Sequence, residues 1–479
     1  MPNSLKQKTV KGILWSTLER FSVQGIQFVV MIIMARILTP NDYGLVGMLT
    51  VFIAVSQSLI DSGFSQALIR KQNRSEADNS TVFYFNIAVG LILYGILYIT
   101  APLIADFYHE PQLIEITRVI GLTIIFNSFV VVQRTLLTVN IDFKTQAKAA
   151  FTATFISGIL GIWMAISGYG VWSLVTQQLV NIGINTLLLW VFSHWRPRWI
   201  YSWNSFHELF GFGSKLLVSG LIDTLYRNIY LIVIGRVFTA SDLGYYTRAH
   251  HFADFPSSNI SGIIQRVTYP ILCSIQNENE RLANVYRRFI RLSAFIIFPL
   301  MMGLAAVAEP LVLVLLKEQW LFAATLISII CFQMMWYPIH AINLNLLQVK
   351  GRSDLFLKLE IYKKIIGIIT LCITIPMGLI AMCAGGFFTS MIALVINTYY
   401  TGKLIGVGYF RQMQDLFPTF ILSISMGAIV YYAINSLSLS PIAQLGIGIC
   451  IGIIYYISMA FSFKFTEVKE LIDLLKRKQ

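Results

Sequence analysis

Arg36-Ile37-Leu38-Thr39-Pro40-Asn41-Asp42-Tyr43-Gly44 returns 200 residues later as Arg236-Val237-Phe238-Thr239-Ala240-Ser241-Asp242-Leu243-Gly244. Arg, Thr, Asp and Gly recur at that single offset, and each copy closes a long apolar segment. A matched turn in two halves of an apolar chain marks a duplicated helical bundle. Transporters built this way hold their substrate between the repeats, near the bilayer midplane. The turn residues also have local duties. Asp42 and Asp242 are expected to cap the helices that follow, and Gly44 and Gly244 to permit close packing. Arg36 and Arg236 are expected to bond to C-terminal carbonyls of the helices that precede them.

The rest of the chain is as apolar as such a bundle requires. Of 479 residues, 56% are hydrophobic and only 12% charged, more apolar surface than a soluble core absorbs. A formal charge of +13 would suggest nucleic acid in a soluble protein, but the cations lie mostly in short connections and no nucleic-acid motif appears. Cys273, Cys331, Cys372, Cys383 and Cys450 lack pair spacing and read as small hydrophobes, giving neither a metal site nor a disulfide framework. No cleavage site follows the N-terminus, so no removed signal peptide is expected.

The fold class is all-α and polytopic, with about 14 spanning helices of about twenty or more residues. They are placed at 10–38, 43–66, 80–105, 113–138, 146–167, 170–193, 208–238, 241–273, 288–316, 320–348, 354–378, 380–405, 416–436 and 441–463. Polar residues weaken the eighth (Arg248, His250, His251, Asp254) and the eleventh (Glu360, Lys363, Lys364). Alternate connections are basic, as at Lys6 to Lys11, Arg70 to Arg74, Lys144 and Lys148, Arg196 and Arg198, Arg281 to Arg288, and Lys350 and Arg352. The intervening ones are bare or acidic, which places both termini in the cytoplasm. Six helices separate the two turns, an even number, so the repeats are parallel about an axis along the membrane normal. Residues 1–200 form an N-lobe, 201–405 a C-lobe, and 406–479 two added helices that are apolar all round and peripheral, with an amphipathic cytoplasmic tail over 465–479. The boundary segment His194-Trp195-Arg196-Pro197-Arg198-Trp199 reads as an interfacial linker.

Ionisable residues inside spans point to a cavity or a partner. The first helix carries Glu19, Arg20, Gln24 and Gln27, the seventh Lys215, Asp223 and Arg227, and the eighth Arg248 and Asp254. Arg20, Gln24, Gln27, Lys215, Arg227 and Arg248 are candidate cavity-lining groups. Glu19, Asp61, Asp223 and Asp254 are candidates for H+ or Na+ coupling; no other cofactor is implied. Asp223 and Arg227 are four apart, and a local ion pair accounts for them equally well. Asp61 near the end of the second helix is as well explained by a hydrogen bond to a neighbouring helix terminus. No P-loop, nucleophile elbow or zinc-protease pattern is present, so no enzyme is indicated.

Trp15…Glu19-Arg20…Gln24-Gly25-Ile26-Gln27-Phe28, Ala35 to Gly44 and Asp61-Ser62-Gly63-Phe64…Ala67-Leu68-Ile69 resemble the bacterial polysaccharide transport family. This is the Wzx-like branch of the multidrug/oligosaccharidyl-lipid/polysaccharide exporter superfamily, closest to colanic-acid exporters. Asn140 to Lys144, Gly168 to Trp172 and Gly351 to Leu355 extend the resemblance over the whole chain. It implies a flippase of the bacterial inner membrane that moves undecaprenyl-diphosphate-linked oligosaccharide by alternating access. The implied partners are that lipid, membrane lipids, and a polysaccharide polymerase and chain-length regulator, with no nucleic acid. Buried Arg and Lys suit a diphosphate. Two other readings stay open: a cation-coupled multidrug exporter, which calls for an acidic aromatic pocket, and a membrane glycan polymerase or ligase, which calls for a long catalytic loop.

Overall fold

The computed structural model describes residues 22–61, 63–436 and 439–470, and of Lys215 the backbone alone. Every regular element among these residues is helical, as a bilayer requires of long apolar segments that must satisfy their backbone internally. The chain falls into two compact units, the first ending at Gly244 and the second beginning at Tyr245.

The first unit contains α1 (Ser22–Ala35), α2 (Pro40–Asp61), α3 (Phe64–Arg70), α4 (Glu76–Tyr108), α5 (Leu113–Ile120), α6 (Leu122–Ser128), α7 (Val131–Val139), α8 (Phe143–Ile166), α9 (Val171–Phe192), α10 (Trp203–Arg227) and α11 (Ile229–Val237). Helix α12 (Ala240–Ser274) begins there and runs into the second unit, which adds α13 (Asn279–Ala306), α14 (Ala308–Leu316), α15 (Leu321–Met334), α16 (Tyr337–Val349), α17 (Ser353–Thr374), α18 (Leu379–Ile405), α19 (Tyr409–Asn435) and α20 (Pro441–Ser462). Among the described residues, nine runs are long and apolar enough to cross a bilayer, and two bent pairs raise the number to eleven. The three remaining expected spans are the first, whose early residues lie outside those described, and the eighth and eleventh. The latter two exist as continuous helices, α12 of 35 residues and α17 of 22. Their polar residues, and not their length, keep them out of the apolar set.

The repeated turn has one geometry in both copies. Thr39 precedes α2; its N–H and hydroxyl donate to Asp42 Oδ2 at 2.9 and 2.7 Å, and the Asp42 N–H donates to Thr39 Oγ1 at 3.3 Å. The Thr239–Asp242 distances are 3.1, 2.8 and 3.1 Å. Each is a capping box in which Thr is the cap and Asp answers from the third helical position. The expected role of aspartate as the cap itself is thereby corrected: the helices begin at Pro40 and Ala240, so the threonines hold the cap position and the aspartates fall two residues inside. The glycine expectation holds. A Cβ on Gly44 would lie 1.7 Å from the Ala240 carbonyl oxygen, and one on Gly244 would lie 1.9 Å from that of Pro40. Positions 40 and 44 therefore meet 240 and 244 reciprocally, about a local twofold. The two contacts join the N-termini of α2 and α12. Arg236 does bond to a C-terminal carbonyl, but of α4 and not of its own preceding helix: Nη1 lies 2.6 Å from Phe107 O and also touches His109. A cation there complements the negative end of the α4 dipole.

The linker between α9 and α10 is pinned along the start of α4. Trp195 Nε1 donates to Glu76 at 2.9 Å, the Arg198 N–H to Ser80 at 3.1 Å and the Ser202 N–H to Thr81 at 2.9 Å. Trp199, 95% exposed, stacks on Tyr84, which suits an interfacial ring. Beside it, Lys71 bridges Asp78 at 3.0 Å and Glu208 at 2.9 Å. Partial burial opposes the Lys71 charge, but the bonds to Glu208 and Asp78 outweigh it and hold the ammonium above its ordinary range.

In the second unit α19 is central, which corrects its placement as a peripheral helix. Gln412, 1% exposed, donates from Nε2 toward Tyr286 Oη (3.1 Å), Asn343 Oδ1 (3.1 Å) and Thr401 Oγ1 (3.0 Å). Tyr286 itself donates to Asn343 at 2.7 Å. A fork of two 2.7 Å bonds joins Arg287 to Asp415. The apolar average over α19 concealed these few polar residues, which all fall on its packed face. Of the expected amphipathic tail, residues 471–479 lie outside those described. Its described start places Glu467 and Glu470 against Arg291 and Arg288 of α13, at 3.3 and 2.8 Å.

Candidate functional site

Three spans of the first unit are broken. The second stops at Asp61 and restarts at Phe64 through Gly63, whose φ of 71° is left-handed. Gly63 also packs so tightly on Gly213 that a Cβ would sit 2.6 Å from its carbonyl oxygen. The fourth bends by 40° between α6 and α7, and the seventh by 42° between α10 and α11. At the seventh, Asn228 turns its amide back onto Thr224 O at 2.8 Å.

All three breaks line one polar cavity of about 570 Å³. The second span supplies Gln57, Ser58, Asp61 and Ser65, the fourth Val131 and Arg134, and the seventh Thr224, Arg227 and Asn228. Ser58 and Thr224 meet at 3.3 Å across it. Interrupted helices expose backbone N–H groups and carbonyls at depth, which is tolerated where they border protein or a cavity. The N-terminal ends of α7 and α11 add partial positive charge beside two guanidinium groups. This arrangement can receive an anionic, hydroxyl-bearing group.

The sequence-derived candidates separate. Arg227 and Asp61 line the cavity. Asp223 does not; it pairs with Arg227 at 2.7 Å, as the four-residue spacing allowed. Asp61 accepts from the N–H of Ser65 at 3.4 Å and from its hydroxyl, in keeping with one of the two roles the sequence allowed it. Gln24 is half-buried and Gln27 exposed on α1, and neither borders this cavity. Glu19 and Arg20 lie outside the described residues, as does the Lys215 side chain. Arg248 and Asp254 stand on α12 in the second unit, where both act electrostatically on His251. Among the described residues no cluster of three or more metal-ligating side chains occurs.

A model of the family described as "Polysaccharide biosynthesis protein" matches residues 33–325, more than half of the chain. The chain belongs to this family. It is 25% identical to the teichuronic acid biosynthesis protein TuaB of Bacillus subtilis over 95% of this chain and 96% of that protein. To the lipopolysaccharide biosynthesis protein WzxC of Escherichia coli it is 26% identical, over 90% and 88%. Its fold is that of a solved structure of the lipid II flippase MurJ, with a TM-score of 0.78 at 15% identity, covering 96% of this chain and all of that one. A multidrug resistance transporter of the MATE family, in an inward-facing conformation, follows at TM-score 0.62 and 16% identity, over 81% and 96%. This polysaccharide biosynthesis protein is thus a multi-pass membrane protein of a known transporter fold.

Within this family member, the sequence reading missed Arg134. It sits in Val131-Val132-Gln133-Arg134, inside an otherwise apolar run, and the same membrane cost that singled out Arg227 applies to it. Gln57, Ser58 and Asn228 carried no such signal, because uncharged polar residues are common in membrane helices.

Proposed function

We propose that the chain is a flippase for a lipid-linked oligosaccharide, carrying an undecaprenyl-diphosphate headgroup and its sugars across the bacterial inner membrane by alternating access, with both termini cytoplasmic. The observation that carries this reading is the cavity where three broken spans of a polysaccharide-family protein bring Arg134 and Arg227 together. Guanidinium forks match phosphate oxygens, and the amide and hydroxyl groups of Gln57, Ser58 and Asn228 suit sugar hydroxyls. The lipid tail stays in the bilayer. Residues 1–200 and 201–405 act as the two repeat lobes. Arg20, Gln24, Gln27, Lys215 and Arg248 remain candidate substrate contacts on the sequence argument of polar groups within spans, and a polymerase and chain-length regulator receive the product. A cavity with two arginines, whose one carboxylate is engaged in capping, is poorly suited to the cationic drugs of a multidrug exporter.

The test is complementation of surface polysaccharide in a strain lacking this chain. Arg134→Ala and Arg227→Ala should each lower export at least about tenfold at normal membrane abundance, a loss of about 1.4 kcal/mol or more. Lysine at either position should rescue in part. Restored export by the Asp223→Arg, Arg227→Asp double variant would make Arg227 a structural ion-pair member. Full export by both alanine variants would remove the proposed headgroup seat.

A further inference from the structure

The first unit holds a charge that the headgroup seat leaves unused. Helices α4 and α5 pack side by side, and the short turn from His109 to Gln112 puts the end of one and the start of the other at the same rim of the membrane. Arg118 stands on α5, five residues after its start at Leu113, about 8 Å along the helix. In a hydrocarbon core about 30 Å thick, that position lies inside the apolar layer.

An arginine so placed ordinarily snorkels toward the near surface. This one does not. Its guanidinium carbon lies 4.5 Å from the centre of the Tyr98 ring, and Tyr98 is ten residues before the end of α4, about 15 Å from the same rim. The cation is thus drawn inward, onto an aromatic face. Its Nε is buried with no hydrogen-bond partner, and no carboxylate among the described residues pairs with it. A ring face offers no lone pairs in the plane of the guanidinium, so the fork lacks the oxygens it is shaped for.

Glu115 supplies the second half of the site. It is exposed and three residues before Arg118, about one turn nearer the rim on the same side of α5. A Glu–Arg pair at this spacing usually closes on itself. Here the stacking on Tyr98 carries the guanidinium away, and no cation among the described residues pairs with Glu115. Ile96, Ile99 and Leu103 of α4 are exposed beside them, an apolar surface of the kind that acyl chains cover. The seam therefore offers a deep cation, a shallow carboxylate and an apolar flank. A phospholipid whose headgroup ends in a primary amine has the opposite charges in the same order, its phosphate next to the glycerol and its ammonium beyond. A diphosphate fits less well, because it calls for a second cation and would meet Glu115 with like charge.

We propose that the α4–α5 seam binds a phospholipid of the phosphatidylethanolamine type, with Arg118 holding the phosphate, Glu115 the ammonium, and the acyl chains lying along α4. The site stands apart from the transport reading. The experiment is native mass spectrometry of the purified full chain in detergent, titrated with dioleoylphosphatidylethanolamine or dioleoylphosphatidylglycerol. The amine lipid should bind about threefold tighter or more. Arg118→Leu should weaken the tightest site for either lipid about tenfold, and it should fold well, since it replaces an uncompensated charge in the membrane by an apolar group. Glu115→Gln, at an exposed position, should keep phosphatidylglycerol binding and erase the preference. Equal affinity of wild type for the two lipids, unchanged binding in Arg118→Leu, or a preference that survives Glu115→Gln overturns the proposal. Tighter binding of undecaprenyl diphosphate than of the amine lipid, dependent on Arg118, would assign the seam to a transported substrate and overturn it as well.

Discussion

The two units handle buried polarity in opposite ways. In the first, Gln57, Ser58, Arg134 and Arg227 are gathered by helix breaks and border open space. In the second, Tyr286, Asn343, Thr401 and Gln412 saturate one another with no space between them. Polar groups facing a cavity cost stability and are kept for what enters it, whereas a closed network rigidifies its surroundings. Substitutions in the first region should therefore alter transport without touching stability, and those in the second should do the reverse.

The largest stability effect is expected from Asp415→Ala. It strands Arg287, whose partner carboxylate is 7% exposed, and should lower stability by about 3 kcal/mol. A smaller fall in thermal midpoint in detergent than that of the remaining variants would break the comparison. Gln412→Leu comes next. It leaves Tyr286, Asn343 and Thr401 without a shared partner, for a loss of about 2 kcal/mol, and the residual folded protein should export normally. Export lost out of proportion to abundance would show that the network also serves transport. Asp42→Ala removes one half of a capping box and should lower folded yield by about 1 kcal/mol while leaving substrate choice unchanged. Arg134→Ala sharpens the contrast from the other side, with a thermal midpoint shift equivalent to less than about 0.5 kcal/mol alongside lost export. The smallest effect is at Lys71. Its charge is favoured in the folded state, so its contribution is complete below the ordinary lysine value of 10.5 and is lost as pH rises beyond it. A melting series from pH about 9 to about 11.5 should show a decline in wild type that is shallower in Lys71→Gln; parallel curves would remove Lys71 from the account.

Much of this was legible without coordinates. Span positions followed from apolar length, and the close packing at Gly44 and Gly244 from one turn repeated at a fixed offset, whereas the same turn suggested aspartate caps where the threonines stand. The Asp223–Arg227 pair was foreseen from its four-residue spacing. Arg134 was legible in principle, since a lone charge in an apolar run is costly wherever it lies. Gln412 was not. Nothing local distinguishes a glutamine at the start of a lipid-facing helix from one that closes a network with residues 69 and 126 positions away.

The sequence by itself determined that this chain is an all-helical, multi-pass membrane protein of the polysaccharide transport family, because hydrophobic length and motif order are properties of the chain read in order. Only the tertiary structure decided that Arg134 shares a cavity with Arg227, that Asp61 bonds to the start of α3 and that α19 is core. Each of these depends on which helix faces come together. In a bilayer apolar surface is satisfied equally by lipid and by protein, so hydropathy does not reveal which face of a span packs inward.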